Sequence, residues 1–370
     1  MVETPASVPF LDLAPSTEAV RATVVAGLER LLRSGAFVNG PAVADFEKAY
    51  ARWCGTGDCV GTASGLDALR LALLAAELQP GEEVIVPALT FVATLEAVTQ
   101  AGGRPVPADV REDDFCLDAA AAAAAVGERT RFLLPVHLYG QVADVAALES
   151  IGPPIVEDAC QAHGAVREGR RAGTVGIAAA FSFYPGKNLG AFGDAGGLVT
   201  SSDEVARRAR ALREHGQTRK YVHAAEGYTA RLDTFQALVL LAKLPLLDPW
   251  NTQRAEAARL YNSLLDGVGD LVLPTPAAGS SPVWHLYVIR TANPDALAES
   301  LARRGIGTRR HYPDPVHLTE AYTRLGYGRG SFPVAERLAQ EVLSLPIFPG
   351  IRDDQLEAVA RAVREYFDRG

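Results

Sequence analysis

Phe181-Ser182-Phe183-Tyr184-Pro185-Gly186-Lys187-Asn188-Leu189-Gly190 is the stretch on which the reading of this chain turns. An apolar strand pattern, Ala179 to Phe183, runs into a proline–glycine turn that presents a lysine. Upstream lies Ile155-Val156-Glu157-Asp158-Ala159-Cys160-Gln161-Ala162-His163, a second apolar strand that ends in an acid. A carboxylate at one strand end and a lysine after the next strand suit pyridoxal 5'-phosphate. The lysine amine condenses with the aldehyde, and the carboxylate keeps the pyridine nitrogen protonated so that the ring accepts electrons. Taken singly, the two residues read as a surface lysine and a strand-end aspartate. The pair, in this order and wording, carries the cofactor reading.

Working outward, strand patterns fall at Val84 to Pro87, Pro105-Val106, Phe132 to Val136, Ile155-Val156, Ala179 to Phe183 and Gly196 to Thr200. Helical patterns separate them: Leu66 to Leu78, closed by Pro80-Gly81, and Thr94 to Ala101. The alanine run Ala119 to Ala125 favours an ordinary helix. This alternation predicts an α/β fold with a mainly parallel central sheet and helices on both faces. Ligands in such sheets bind beyond the carboxyl ends of the strands, where Asp158 stands. Residues 16–33 and 41–53 read as helices ahead of the sheet. A long helix, Arg231 to Leu247, is expected to end near Pro245 and Pro249, with continuation of helix through Gln253 to Leu265 left open. The predicted boundary lies there: residues 1–247 form a large cofactor-binding domain with an N-terminal helical segment, and residues 248–370 a smaller C-terminal α+β domain. That second unit draws on Val283 to Arg290, Pro294 to Arg304, Phe332 to Leu343 and Asp353 to Phe367.

The bulk numbers narrow the function. The 370 residues carry a formal net charge of −8 with no long basic run, which argues against nucleic acid as a partner. Cys54, Cys59, Cys116 and Cys160 are scattered without metal-ligand spacing, so reduced thiols and no metal site are expected. Met1 to Leu13 lacks a basic-then-apolar leader, and Gly, Pro or charge interrupts every apolar run short of membrane-spanning length. A soluble cytoplasmic protein is the expectation.

Other residues are candidates for the same site. Ser64-Gly65 precedes the helix from Leu66, where free N–H groups and the helix dipole seat a phosphate; an ordinary serine N-cap is the compatible alternative. Phe91 follows a strand and either lies against an aromatic ring or packs in the core. Ser182 could donate to the cofactor phosphate. Tyr184 and His163 are polar groups in apolar surroundings, facing the cavity or satisfied elsewhere. The glycines do not give G-x-G-x-x-G, so a nicotinamide-binding loop is unsupported.

With these residues in view, the chain resembles the DegT/DnrJ-type sugar aminotransferases. The likeness runs through Val8-Pro9-Phe10-Leu11-Asp12-Leu13, Ser64-Gly65-Leu66-Asp67-Ala68-Leu69, Pro135-Val136-His137-Leu138-Tyr139-Gly140-Gln141, Glu157 to Gly164, Phe181 to Gly190, Arg231-Leu232-Asp233, Trp284-His285-Leu286-Tyr287, His311-Tyr312-Pro313 and Leu343-Ser344-Leu345-Pro346. The resemblance implies an aspartate-aminotransferase (type I) fold and pyridoxal phosphate held covalently on Lys187, which also moves the proton. It implies that Asp158 pairs with the pyridine nitrogen, Gln161 approaches the ring hydroxyl and Phe91 stacks on the ring. Ser64, Gly65 and Ser182 fall on phosphate-binding positions, and His163, Tyr184, Lys220, Tyr221, Arg231, His311 and Tyr312 in segments that line the sugar-nucleotide pocket. Thr229 stands where relatives carry an Asn that reaches the cofactor phosphate of a neighbouring subunit, so a homodimer with shared active sites is implied. The partners implied are L-glutamate as amino donor and a dTDP-linked keto-deoxysugar. Amination at C3 is favoured; the alternatives are amination at C4 of a hexose or pentose, and a non-catalytic regulatory protein. Some relatives carry histidine in place of the lysine and run deoxygenation, so Lys187 favours the aminotransferase.

Overall fold

A computed structural model describes residues 7–368. Met1 to Ala6, part of the segment read for a leader, lie outside the described residues, as do the last two positions of the C-terminal unit.

The central sheet is built from two runs of strands. Arg104–Ala108, Glu83–Pro87 and Thr130–Leu133 pair in parallel. Val156–Asp158, Ala178–Ser182, Gly196–Thr200 and Asp58–Thr62 form the other run. Parallel bridges from Leu133 to Ile155 and from Val136 to Asp158 join the two into one continuous sheet. Gly196–Thr200 is the exception to the parallel rule, running antiparallel to both of its neighbours. Its reversed course brings Gly196 to the sheet edge where its parallel neighbours finish. A Cβ added there would stand 2.2 Å from the Ser64 carbonyl oxygen, so glycine is what lets the two segments meet.

Successive strand residues point to opposite faces, and the core divides accordingly. Val60, Val156, Ala180 and Leu198 pack on one face with Leu69, Leu73, Leu95, Val98 and Val205. These come from the helices Gly65–Ala75, Ala93–Gln100 and Asp203–Arg213. Cys59, Ala179, Phe181 and Val199 pack on the other with Phe46, Tyr50 and Leu240, from helices Pro41–Cys54 and Thr234–Lys243. Helices therefore cover both faces, as the alternation predicts. The alanine run folds as the helix Ala119–Ala125, capped by Asp118, whose carboxylate accepts from the Ala121 amide at 2.7 Å.

Two helical boundaries differ from the sequence reading. The pattern over 16–33 is two helices, Ala14–Glu18 and Arg21–Ser34. The pattern over 231–247 starts later, because Arg231 bridges Thr62 as sheet-like backbone, and Thr234–Lys243 is the helix. Pro245 does not stop the chain: it sits in the 3-10 turn Leu244–Leu246, which opens directly into the helix Leu247–Leu265. A proline lacks only an N–H that the first turn leaves unpaired. That long helix packs with Pro294–Ala302, Asp353–Phe367 and the antiparallel pair Tyr287–Arg290 and Val342–Leu345 around a core of its own, which Val8 joins from the N-terminal segment. Among the described residues, no helix is long and apolar enough to cross a membrane.

Candidate active site

Beyond the carboxyl ends of the parallel strands the chain encloses a cavity of about 620 Å³. Asp158 reaches it from the end of its strand. The Asp158 amide donates to the Pro135 carbonyl at 2.9 Å, and its carbonyl accepts from the His137 amide at 3.0 Å, so the ladder fixes the backbone on one side. Its Oδ2 accepts from the Thr94 hydroxyl at 2.9 Å, and Thr94 is 2.9 Å from the Thr90 hydroxyl. Its Oδ1 accepts from the Cys160 amide at 3.2 Å. The preceding residue, Glu157, points the opposite way into the interior, where His137 and three backbone amides hold it.

Lys187 enters the same cavity from a turn that is tied down at every step. Its amide donates to the Tyr184 carbonyl at 2.8 Å, and the Ala191 amide returns to the Phe183 carbonyl at 2.8 Å. The next residue, Asn188, is buried and donates to Asn251 Oδ1 at 2.8 Å and to the Val283 carbonyl at 2.9 Å. The buried Lys243 ammonium closes the loop by donating to the Gly190 carbonyl at 2.7 Å. Burial pushes the Lys187 ammonium below its ordinary pKa, against the opposing pull of Cys160 and Asp158. A lysine so placed gives up its proton more readily than one in water.

Ser64, Gly65 and Ser182 meet at one end of the cavity. The Ser64 hydroxyl accepts from the Asp67 amide at 3.0 Å, so it caps the helix Gly65–Ala75 and stands at its anion-attracting end at once. A Cβ on Gly65 would lie 2.7 Å from the Ser182 Cβ and 3.0 Å from Cys160 Sγ; only glycine allows this approach. Phe91 is 52% exposed, with its ring 5.6 Å from that of Tyr312. That exposure decides between its two readings: it is a cavity wall, not core. Gln161 accepts from the Tyr139 amide at 2.7 Å and donates to the Tyr312 hydroxyl at 3.2 Å. His311 lies within 2.9 Å of the Ser344 hydroxyl and stacks on Phe10. Burial, then the neighbouring Lys187 and Arg309, brings its pKa down to about 4, so it is neutral at neutral pH. Tyr184 stands on the rim.

An anion seat, an apolar plate, a carboxylate and an amine thus line one cavity. These are the four contacts an aromatic aldehyde phosphate requires, and the residues present fit pyridoxal phosphate.

Five residues named from the sequence are placed elsewhere. His163 is fully buried behind the wall, packed on Phe181 and Phe183 with the Ser182 backbone beside its ring. Burial first, and Lys187 second, hold its pKa near 3, so it is a neutral packing group. Lys220 and Tyr221 sit on the exposed hairpin of Gln217–Arg219 and Val222–His223, Thr229 lies 3.1 Å from the His215 ring, and Arg231 pairs with Glu214 at 2.9 Å. None of the five lines the cavity within this chain. In turn, the sequence reading passed over Thr90, Thr94, His285 and Arg254, which do touch the site or its acid. For the threonines a signal existed: hydroxyls beside the first turn of the helix that follows a strand.

The sheet and this cavity define a class, the lysine-and-aspartate enzymes that work through a bound aromatic aldehyde phosphate. The chain belongs to the DegT/DnrJ/EryC1/StrS aminotransferase family, whose pattern matches residues 19–364. It is 48% identical to a dTDP-3-amino-3,4,6-trideoxy-alpha-D-glucose transaminase of Streptomyces venezuelae, covering 99% of this chain and 98% of that protein. It is 45% identical to the erythromycin biosynthesis sensory transduction protein EryC1 of Saccharopolyspora erythraea, over 96% and 99% of the two chains. The crystal structure of DesV from S. venezuelae in complex with a ketimine intermediate superposes with a TM-score of 0.96, at 47% identity, over 98% of this chain and 99% of that one.

Proposed function

We propose that this enzyme carries pyridoxal 5'-phosphate on Lys187 and transfers an amino group from L-glutamate to the C3 ketone of a dTDP-linked keto-deoxysugar. The observation that carries the reading is the convergence of the Lys187 amine and the Asp158 carboxylate on one cavity. The relatives named above support the choice of sugar and carbon. When bound, the cofactor supplies an electron sink for the carbanion that each half of the exchange generates. The chain does the rest. Asp158 presents a carboxylate, oriented by Thr94 and the Cys160 amide, that would accept from a protonated ring nitrogen. Lys187, with a depressed pKa, takes a proton from the amino carbon in one half and returns one in the other. Ser64, Gly65 and Ser182 would hold the phosphate, and Phe91 would offer its ring as a wall for the cofactor.

We read the working unit as a homodimer. Val25, Leu32, Phe37 and Val38 expose apolar surface; Val38 bridges Asp233, and Asn39 donates to Glu214, which in turn bridges Thr229 and pairs with Arg231. A face of this kind suits a second copy. Covered by it, Thr229, Lys220 and Tyr221 would border a shared site. All four cysteines are free, which suits a reducing cytoplasm.

The test is the visible spectrum of the protein loaded with pyridoxal phosphate. L-Glutamate should bleach the band, and a dTDP-3-keto-deoxysugar should restore it faster than a 4-keto isomer. Faster restoration by the 4-keto sugar would move the chemistry to C4. A band that no amino acid bleaches would replace the enzyme with a cofactor-binding regulator, the reading to which the description of EryC1 as a sensory protein points.

A further inference from the structure

Arg254, midway along the helix Leu247–Leu265, forms part of the back wall of the cavity that holds Lys187. It is only 2% exposed. Its Nη1 donates to three backbone carbonyls, those of Trp284 at 3.2 Å, His285 at 3.3 Å and Ile347 at 3.0 Å. None of these hydrogen bonds uses Nη2, and Nε has no partner among the described residues. Burial is the one influence on its pKa, bringing it down to about 10 with no carboxylate pulling back, so the group is charged at neutral pH. The described chain therefore buries a cation without a counter-charge. Such an arrangement is unfavourable unless something else supplies the anion.

With Nε sealed off and Nη1 taken by the three carbonyls, Nη2 is the donor of this guanidinium left for an anion in the cavity, through a charge-assisted hydrogen bond. Three further features narrow the anion. Lys187 is occupied by the cofactor in the loaded enzyme, and the nearby His285 and His311 are held neutral by burial first and Lys187 second. Arg254 is thus the remaining cation at neutral pH among the described residues of the wall. Its depth matters too: Phe91 and Tyr184, both more than half exposed, mark the mouth, whereas Arg254 lies at the back. A carboxylate on a short aliphatic chain can reach the back wall.

We infer that Arg254 recognises a carboxylate of the amino-acid donor, and so selects the donor of the first half-reaction. The inference rests on the function proposed above and adds the residue that reads the donor. Two half-reactions share one cavity, and an arginine that serves only the smaller reactant lets a single pocket tell the two apart.

The experiment compares wild type with Arg254→Gln, each loaded with pyridoxal phosphate. The band's bleaching is titrated with L-glutamate; its recovery is titrated separately with keto-sugar on enzyme preloaded with pyridoxamine phosphate. Glutarate, a dicarboxylate that cannot react, is titrated against both proteins by calorimetry. The glutamate and glutarate constants should weaken about 10- to 100-fold, the range for a hydrogen-bonded charge pair, and the sugar constant at least about tenfold less than that. Equal losses in both halves, or unchanged glutarate binding, would overturn the inference. Should the glutamine variant not load cofactor, Arg254→Lys decides on the same constants, since it keeps the charge and loses the Nη2 donor. Wild-type enzyme that glutamate cannot bleach would instead remove the proposed donor, a failure visible before any variant is made.

Discussion

The Lys187 turn and the hairpin spanning residues 217–223 both carry residues expected at the site, yet they are built in opposite ways. The turn is anchored on each side: Phe183 donates to the Ala195 carbonyl at 2.7 Å, Asn188 is tied to Asn251 and Val283, and Lys243 grips Gly190. The hairpin is a short antiparallel pair with an irregular register, and Tyr221 at its tip is 81% exposed. A group that must meet a reacting atom needs a frame that fixes it within fractions of an ångström. A group that only borders a large substrate does not, and its loop can be ordered by whatever docks on it. On the function proposed above, the difference would separate chemistry, supplied by one chain, from recognition, completed by a partner or ligand.

The largest expected effect lies on the anchored side. Lys187→Ala should lower kcat by at least about 10³-fold, because general acid–base transfer alone contributes about 10² to 10⁴. It should leave the melting temperature close to wild type, since Asn188 and Lys243 hold the loop without the lysine amine. Single-turnover rates and a thermal melt measure both. Retained turnover would show that the proton moves through another group, and the turn would lose its place in the comparison.

A smaller effect, on stability, lies one residue from Asp158. Glu157 accepts from His137 Nε2 at 2.8 Å and from the amides of Gly173, Val175 and Gly176 at 2.7 to 2.9 Å. His137 Nδ1 accepts from the Ala143 amide at 3.2 Å, so the ring is set to donate from Nε2. Burial on its own would raise the Glu157 pKa, but the His137 contact and the amides outweigh it and the net shift is downward from 4.5. The folded pKa then lies below the unfolded one. Its stabilisation is complete above about pH 4.5 and is lost as pH falls through the folded value. Glu157→Gln should cost about 3 kcal/mol at pH 7, the scale for breaking a buried charged network. It should also flatten the acid limb of stability below pH 4.5. Urea melts at pH 7 and pH 4 measure both, and an unchanged acid limb would mean that other carboxylates set it.

The same contrast explains what the sequence disclosed. Strand patterns around Asp158 and Lys187 were legible because buried parallel strands are short apolar runs, and their carboxyl ends lie where ligands bind. Ser64-Gly65 was legible for the same reason, a polar cap at a strand-to-helix turn. Arg254 was not. It lies mid-helix among Thr252, Gln253, Ala255 and Glu256, where an arginine reads as a solvated face; only the crossing of Trp284, His285 and Ile347 above it makes it buried. His163 is the converse case, a residue open to two readings that the structure places in the interior. Its segment follows Asp158, but the chain turns after Cys160 and folds the ring inward onto Phe181 and Phe183. Local pattern gives the strand ends; which residues of distant segments face them is decided by tertiary packing.

The smallest effect tests the hairpin. Tyr221 exposes most of its ring and rests against little besides the Lys220 side chain, whose ammonium lies 5.4 Å from the ring centre. Removing it with Tyr221→Ser should change stability by less than about 0.5 kcal/mol, as surface substitutions do. If the ring borders the sugar nucleotide in a dimer, the KM for keto-sugar should rise about 3- to 10-fold, a loss of about 1 kcal/mol of contact. The KM for glutamate and kcat should then hold. Steady-state kinetics with each substrate varied in turn separates these numbers. A fall in kcat of the size expected for Lys187→Ala would place Tyr221 with the reacting groups, and the division between an anchored chemical wall and a loosely held recognition edge would have to be abandoned. A rise in sugar KM alone, greater in dilute protein than in concentrated protein, would mean that the edge is completed by the second copy.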